Sequence, residues 1–340
     1  MTEFEPGESA SIVSVTDKVR AIALGAPLSA VHFLGDQAAF VGSEENIFLV
    51  AESEPATIAV QGGGILCATS DGKRIVTGGD DGKVVALDAR GDVTVLATDP
   101  KRRWIDNVAL HPDGAVAWSA GKTAFVRSKD STKDQEKSLD VPSTVGGLAF
   151  APKGLRLAVA HYNGVTLWFP NMAAKPEFLP WTGSHLAVAF SPDNKFLVTA
   201  MHEPALHGWR LADNRHMRMT GYPGRVRSMS WSEGGKALAT SGADAVILWP
   251  FGSKDGPMGK EPAMLAPLKA RVTSVACHPD QAIFAAGYGD GTVLMVRLSD
   301  GAEILVHRNG GAAIAALAWN AAGTLLAFAA EDGEAGLLAI

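Results

Sequence analysis

The feature that most limits what this chain can fold into is a repeat. The stretch LAVAFSPDNKFLVTA (186–200) sets two short apolar runs on either side of a polar turn, and variants of it recur along the sequence. With the position of Asp193 in FSPDN as anchor, equivalent turns occur in FLGD (Asp36), ATSDG (Asp71), LHPDG (Asp113), FAPKG (Lys153), WSEGG (Gly234), CHPDQ (Asp280) and WNAAG (Ala322). Successive spacings are 35, 42, 40, 40, 41, 46 and 42 residues. Eight units therefore fill almost all of the 340 residues. A fixed period of this size marks one supersecondary unit stacked many times.

Each unit keeps one internal order. An apolar run such as VGGLAF (145–150) or VTSVAC (272–277) leads into the anchored turn. A second run follows, such as RIVTGG (74–79), RLAVAH (156–161) or ALATSG (237–242), then a turn such as DDGK (80–83), YNGV (162–165) or GDGT (289–292). A third run comes next (VVALD, 84–88; VTLWF, 165–169; VILWP, 246–250; VLMVR, 293–297), and a weaker fourth precedes the following unit (ATIAV, 56–60; DVTVLAT, 92–98; AEILVHR, 302–308). Short β-branched and aliphatic runs bounded by Gly, Pro, Asp and Asn are strands, because helical runs are longer and lack such punctuation. Asp or Asn before Gly supplies the positive φ that a tight hairpin needs. Each unit thus reads as a four-stranded antiparallel meander. One such sheet cannot bury both faces, whereas sheets packed radially cover one another.

The FSPDN anchor, the DDGKV turn and the tryptophans ending the third strands (Trp168, Trp209, Trp249) resemble the WD-repeat β-propeller family over nearly the whole chain. Here Phe, Arg or Pro follows the Trp, so no literal Trp-Asp pair occurs, and the family's upstream Gly-His pair is absent. Blade cores are therefore expected to rest on apolar packing. The resulting expectation is an all-β fold: a single eight-bladed β-propeller of four-stranded antiparallel sheets over residues 1–340, with residues 1–10 a flexible tail. The alternative is a seven-bladed ring with one unit detached or irregular, units one and eight being the least regular. The eighth unit ends at its third strand, AGLLAI (335–340), and SIVSVTDKVRAIAL (11–24) has no unit before it. This N-terminal segment is expected to close the ring as the missing outer strand, which removes an exposed edge.

Composition narrows the function. Hydrophobic residues make up 47% and charged residues 19%, enough for a large core and unlike a disordered chain. The net charge of −6 gives no basic field to hold nucleic acid. The acidic MTEFEPGESA start is unlike a secretory signal, and no run is long enough to span a membrane. Cys67 and Cys277 lie 210 positions apart in apolar runs and read as free thiols in a reducing compartment. The expectation is a cytoplasmic protein, monomeric by itself, with no cofactor, no nucleic acid and no membrane among its partners.

Resemblance to the family implies two faces. The loop before each first strand and the turn between second and third strands share the top. At those positions fall Arg103, Trp104, Tyr162, Trp181, His185, His202, Tyr222, Arg225, Arg271 and Tyr288. Trp, Tyr and Arg combine large contact area with a polar handle, which makes this set the candidate partner-binding surface. A non-enzymatic scaffold for one or more proteins is what the resemblance implies. The alternative is a metal- or small-ligand-binding propeller, hydrolytic in its furthest form, with His161, His185 and His202 near the channel mouth as zinc ligands. No contiguous metalloenzyme signature supports it, and first strands begin mostly with Ala, Val, Gly, Ser and Thr. QGGG (61–64) and TGGDDGK (77–83) lack the phosphate-loop pattern and read as turns. Asp71, Asp113, Asp193 and Asp280 are turn residues at repeat spacing, too dispersed for acid–base work. The charged stretches 128–140 and 252–264 follow third strands and read as solvated loops.

Overall fold

The computed structural model describes residues 12–52, 54–129, 136–308 and 310–340; the proposed tail, residues 1–10, lies outside them. The repeat units appear as the turn chemistry dictates. Unit 1 is Leu28–Leu34, Gln37–Gly42, Asn46–Val50 and Ala56–Ala59, each strand antiparallel to the next. Unit 2 repeats this with Ile65–Ser70, Arg74–Gly79, Lys83–Asp88 and Val93–Thr98. The same meander recurs to the eighth unit, whose strands are Ile314–Trp319, Leu325–Ala330 and Glu334–Ala339.

Hydrogen bonding divides these strands into seven sheets. The expected eight blades are therefore corrected to seven, the number in the alternative. No unit is detached; the fourth and fifth are fused into one six-stranded sheet. In unit 4 the second and third strands merge into Leu157–Trp168, with Tyr162 paired to Ser184 and Gly164 to Pro180. The strand Glu177–Phe190 then serves twice. Its first half pairs with unit 4 (Leu167 with Glu177), and its second half with Phe196–Met201 of unit 5 (Phe190 with Leu197). The link Thr182–Ser184 is too short to break the ladder, unlike the longer loops elsewhere. Seven sheets thus carry eight repeat units.

The ring closes through the N-terminal segment, as expected. Arg20–Ala23 pairs antiparallel with the last strand, Arg20 opposite Leu337 and Ala23 opposite Glu334. A second contact was not expected: Val13 and Ser14 add a short parallel strand beside Ile304 and Leu305 of unit 7. The first strands of units 8 and 1 also contact each other.

Among the described residues, each apolar cluster is shared by two consecutive units. Leu34, Val41 and Ile47 of unit 1 pack with Ile75, Val85 and Leu87 of unit 2. Val198, Leu206 and Met217 of unit 5 meet Leu238, Ile247 and Trp249 of unit 6. Phe33, Phe40 and Phe48 of unit 1 meet Ala327 and Ala329 of unit 8. Burial is thus split across every boundary, and no unit keeps a core of its own. Polar atoms stitch the inner strands as well. Ser228 Oγ accepts from the amide of Val275 at 3.0 Å, Ser230 Oγ from that of Cys277 at 2.9 Å, and Thr273 Oγ1 donates to Ile314 O at 2.7 Å. Both cysteines are free, with thiols pushed up by burial, Cys67 to about 12 and Cys277 to about 11.

The segment after Trp249 departs from the solvated-loop expectation. Gly256 and Pro257 are buried, Met258 packs on the cluster shared by units 5 and 6, and Asp255 pairs with Arg210. Phe251 explains the anchoring: it is buried, in edge contact with Phe196 at 5.2 Å and Trp231 at 4.7 Å. Of the other charged stretch, 130–135 lie outside the described residues.

Candidate interaction face

Strand register fixes which loops lie together. Leu28 pairs with Gly42, Ile105 with Ala120 and Val272 with Tyr288, so each first strand begins where the second ends. The loops before first strands and the second turns therefore share one end of the strands, here called the top face.

The ten expected contact residues separate on this face. Trp104 and Tyr162 are 61% and 54% exposed, in the neighbouring units 3 and 4. The amide of Tyr162 donates to Ser143 Oγ at 2.9 Å, which fixes the backbone beneath the ring. His202, Arg225 and Arg271 are also exposed. Arg103 is tied down: its guanidinium pairs with Asp99 at 2.7 Å and donates to Ala120 O at 3.1 Å. That hydrogen-bonded pairing holds the Asp99 carboxyl below its usual range.

Three of the ten are buried and a fourth, Trp181, is half-buried, which corrects their assignment to the open surface. Tyr222 is buried; its hydroxyl meets Thr240 Oγ1 at 2.7 Å and accepts from Trp249 Nε1 at 2.6 Å. Tyr288 is buried and donates to Ala266 O at 2.5 Å. His185 is buried between Thr199 Oγ1 at 2.7 Å and Trp181 O at 3.0 Å. Trp181 is half-buried, stacked on His207 with centroids 3.9 Å apart. A tyrosine beside a loop satisfies its hydroxyl inside the blade as readily as outside.

The histidine set does not assemble as zinc ligands. His161 spends Nδ1 on Tyr162 O and Nε2 on Thr166 Oγ1, both at 2.9 Å. Both nitrogens of His185 are engaged as above, and burial lowers the pKa of each ring. His202 is exposed. Among the described residues no group of three His, Cys, Asp or Glu side chains is placed to hold a metal.

One structural device escaped the sequence reading. Where the family's Gly-His pair is absent, other side chains reach the same second-strand hydroxyl: Gln61 Nε2 donates to Thr77 Oγ1 at 2.8 Å, Tyr222 bonds Thr240, and His185 bonds Thr199. Apolar packing is thus supplemented by polar bridges. The signal was present, since a threonine inside an apolar run requires a partner once buried.

The central channel holds a cavity of about 440 Å³, lined by Arg227, Ser228, Thr273, Ile314 and Glu331 among others. A larger groove, about 780 Å³, lies at the opposite end between units 2 and 3, beside Arg74, His111, Trp118 and Arg127. Arg127 lies over the Trp118 ring at 5.7 Å.

Comparison with known proteins agrees with this architecture. The family model described as WD domain, G-beta repeat, matches residues 264–295, across the end of unit 6 and most of unit 7. WD repeat-containing protein 1-B of Xenopus laevis is 28% identical over 204 residues, 57% of this chain and 32% of that protein. Telomerase protein component 1 of Mus musculus is 23% identical over 263 residues, 75% of this chain and 10% of that protein. The chain thus spans a third or less of the length of these two relatives. Among solved structures, the computationally designed Ika8 protein superposes with a TM-score of 0.72 at 16% identity, covering 94% of this chain and 98% of its own. No helix among the described residues is long and apolar enough to cross a membrane. With its four-stranded repeat units, its ring closed by residues 20–23 and its match to the repeat model over residues 264–295, the chain is a β-propeller similar to the WD-repeat proteins.

Proposed function

We propose that this protein is a non-catalytic scaffold that holds one or more partner proteins on its top face, with Trp104 and Tyr162 as anchors and His202, Arg225 and Arg271 around them. The observation that carries the reading is the exposure of Trp104 and Tyr162, 61% and 54%, in neighbouring units of a protein that buries Trp118, Trp168, Trp209 and Trp249. Large exposed aromatics on a rigid frame are the usual anchors of protein interfaces. Similarity to WD-repeat proteins supports the same role at a general level. The reading takes residues 1–340 as one propeller domain, monomeric without its partner and acting in the cytoplasm, where free thiols persist. The metal-dependent alternative is set aside, because His161 and His185 have spent their nitrogens on neighbours.

The test is quantitative affinity capture with the tagged full chain from its native cells. Trp104→Ala/Tyr162→Ala is expected to lower recovery of the co-purifying protein about tenfold or more, since interface anchors each cost over ~1 kcal/mol when truncated. Unchanged recovery, with an unchanged thermal transition, overturns the reading.

A further inference from the structure

The top face is not uniform in charge. Arg225 and Arg227 precede the first strand of unit 6, Lys269 and Arg271 that of unit 7, and Arg308 that of unit 8; all five are exposed. Among the described residues none of the five side chains has a salt bridge or hydrogen bond. Backbone geometry gathers two of them. A Cβ on Gly224 would lie 2.6 Å from Arg271 Nη1, so the guanidinium from unit 7 rests against unit 6 beside Arg225. Arg227 reaches the channel cavity, together with Thr273 and Glu331. Two carboxylates stand near, Asp244 and Asp290 in the second turns of units 6 and 7, and Asp290 Oδ1 already accepts from the amide of Thr292. The second turns of units 8, 1 and 2 carry the opposite sign: Glu331, Asp332, Glu334, Glu44, Glu45, Asp80 and Asp81, with Lys83 paired to Asp81.

We propose that the top face over units 6 and 7 docks an acidic peptide segment of a partner protein, an inference that rests on the top face being the interaction surface. Unpaired guanidinium groups gathered at one rim attract carboxylates and give them bidentate donors. The rest of the face limits what the segment can be. A nucleic acid longer than the patch runs on over the carboxylates of units 8, 1 and 2, where its phosphates are repelled. The exposed aromatics that bases would stack on are in units 3 and 4, away from these cations. A short acidic segment meets neither obstacle.

Fluorescence anisotropy of a fluorescein-labelled oligoglutamate peptide with the full chain tests this, with labelled oligothymidylate and oligoglutamine beside it. The expected result is oligoglutamate binding that weakens as salt rises and falls about tenfold or more in Arg225→Glu/Arg271→Glu. Lys153→Glu, an exposed change in the anchored turn at the other end of the strands, is expected to leave it unaltered. Should the double reversal fail to fold, Arg225→Gln/Arg271→Gln takes its place. Tighter binding of oligothymidylate overturns the proposal in favour of nucleic acid. Binding as strong to oligoglutamine, no binding at all, or equal loss in Lys153→Glu also overturns it. The two readings fail separately. Partner capture that depends on Trp104 and Tyr162, without oligoglutamate binding, leaves the scaffold standing and removes the acidic segment.

Discussion

The chain contains two His-Pro-Asp turns, at 111–113 in unit 3 and 278–280 in unit 7, and they are not equivalent. His278 Nδ1 accepts from the amides of Asp280 and Gln281 at 3.1 and 3.0 Å, while Nε2 bonds Gly323 O of unit 8 at 3.0 Å. His111 Nδ1 likewise accepts from the amide of Asp113 at 3.2 Å, but its buried Nε2 meets no partner. Its ring instead lies edge-on to Phe150 of unit 4 at 5.3 Å. The turn sequence therefore fixes the local cap in both places. Whether the ring also joins two units depends on what the next unit presents. In a ring where every apolar cluster spans a boundary, the neighbour decides whether a buried polar atom is satisfied.

Substituting the glycine in the matching turn of the unit that follows each histidine gives the largest expected single loss. Gly323 (φ 69°) and Gly154 (φ 72°) occupy matching turns, both in the left-handed region. A Cβ on Gly323 would lie 2.2 Å from His278 Nε2, whereas one on Gly154 meets nothing within 4 Å. Gly154→Ala is expected to cost only the backbone strain, ~1–2 kcal/mol. Gly323→Ala adds overpacking and a broken inter-unit bond, for a total of about 3–4 kcal/mol. Urea denaturation of both variants checks this, and equal losses would break the comparison.

Acid sharpens it further. His207 is fully buried, stacked on Trp181 at 3.9 Å and edge-on to Trp209 at 4.7 Å, with neither ring nitrogen hydrogen-bonded. Burial first, and the neighbouring His216 second, lower its pKa to about 3; burial lowers His32 to about 4. A histidine lowered in the folded state is protonated first in the unfolded chain. Its penalty is therefore absent above the unfolded value near 6.5, grows as pH falls, and is complete only near the folded value. Each such group costs ~1.4 kcal/mol per pH unit inside that window. His207→Phe removes one of them and keeps a ring against Trp181. Between pH 7 and pH 4.5 the variant is expected to lose about 2–3 kcal/mol less stability than the wild type, read from urea midpoints. Identical acid losses would mean that His207 does not stay neutral.

How much of this was legible in the sequence follows the same division between local and neighbouring chemistry. Strands, turns and the closing segment are local: Asp-Gly turns and apolar runs specify them whatever stands beside them. The sheet count was not local, because fusion of units 4 and 5 hangs on the short link Thr182–Ser184 and on the pairing of Tyr162 with Ser184. Faces could be assigned, since antiparallel register leaves no choice. Side chains on them could not. Trp104 and Trp181 both sit beside polar or turn residues, yet Trp181 finds His207 and His216 to cover it and Trp104 stays exposed. Tyr222 and Tyr288 turned inward because Thr240, Trp249 and Ala266 O supplied partners. The threonines at 77, 199 and 240 were the readable clue, being hydroxyls set within apolar runs.

The smallest contrast returns to the two turns. His278→Ala removes the cap for two amides and leaves Gly323 O without its donor, and it loosens the edge contact with Trp319 at 4.8 Å. An expected loss is about 2–3 kcal/mol, one unsatisfied buried acceptor plus the cap. His111→Ala also removes a cap and an edge contact, with Phe150. It breaks no bond between units, however, and deletes a nitrogen already buried without a partner. Its expected loss is smaller by ~1–2 kcal/mol, measured by urea unfolding at pH 7 under identical conditions. That difference reads the boundary bond to Gly323 together with the second capped amide at His278, set against the 2.7 Å contact of His111 Nδ1 with the Asp113 carboxylate. If the two variants lose the same stability, the turn itself carries the energy and the neighbouring unit adds nothing.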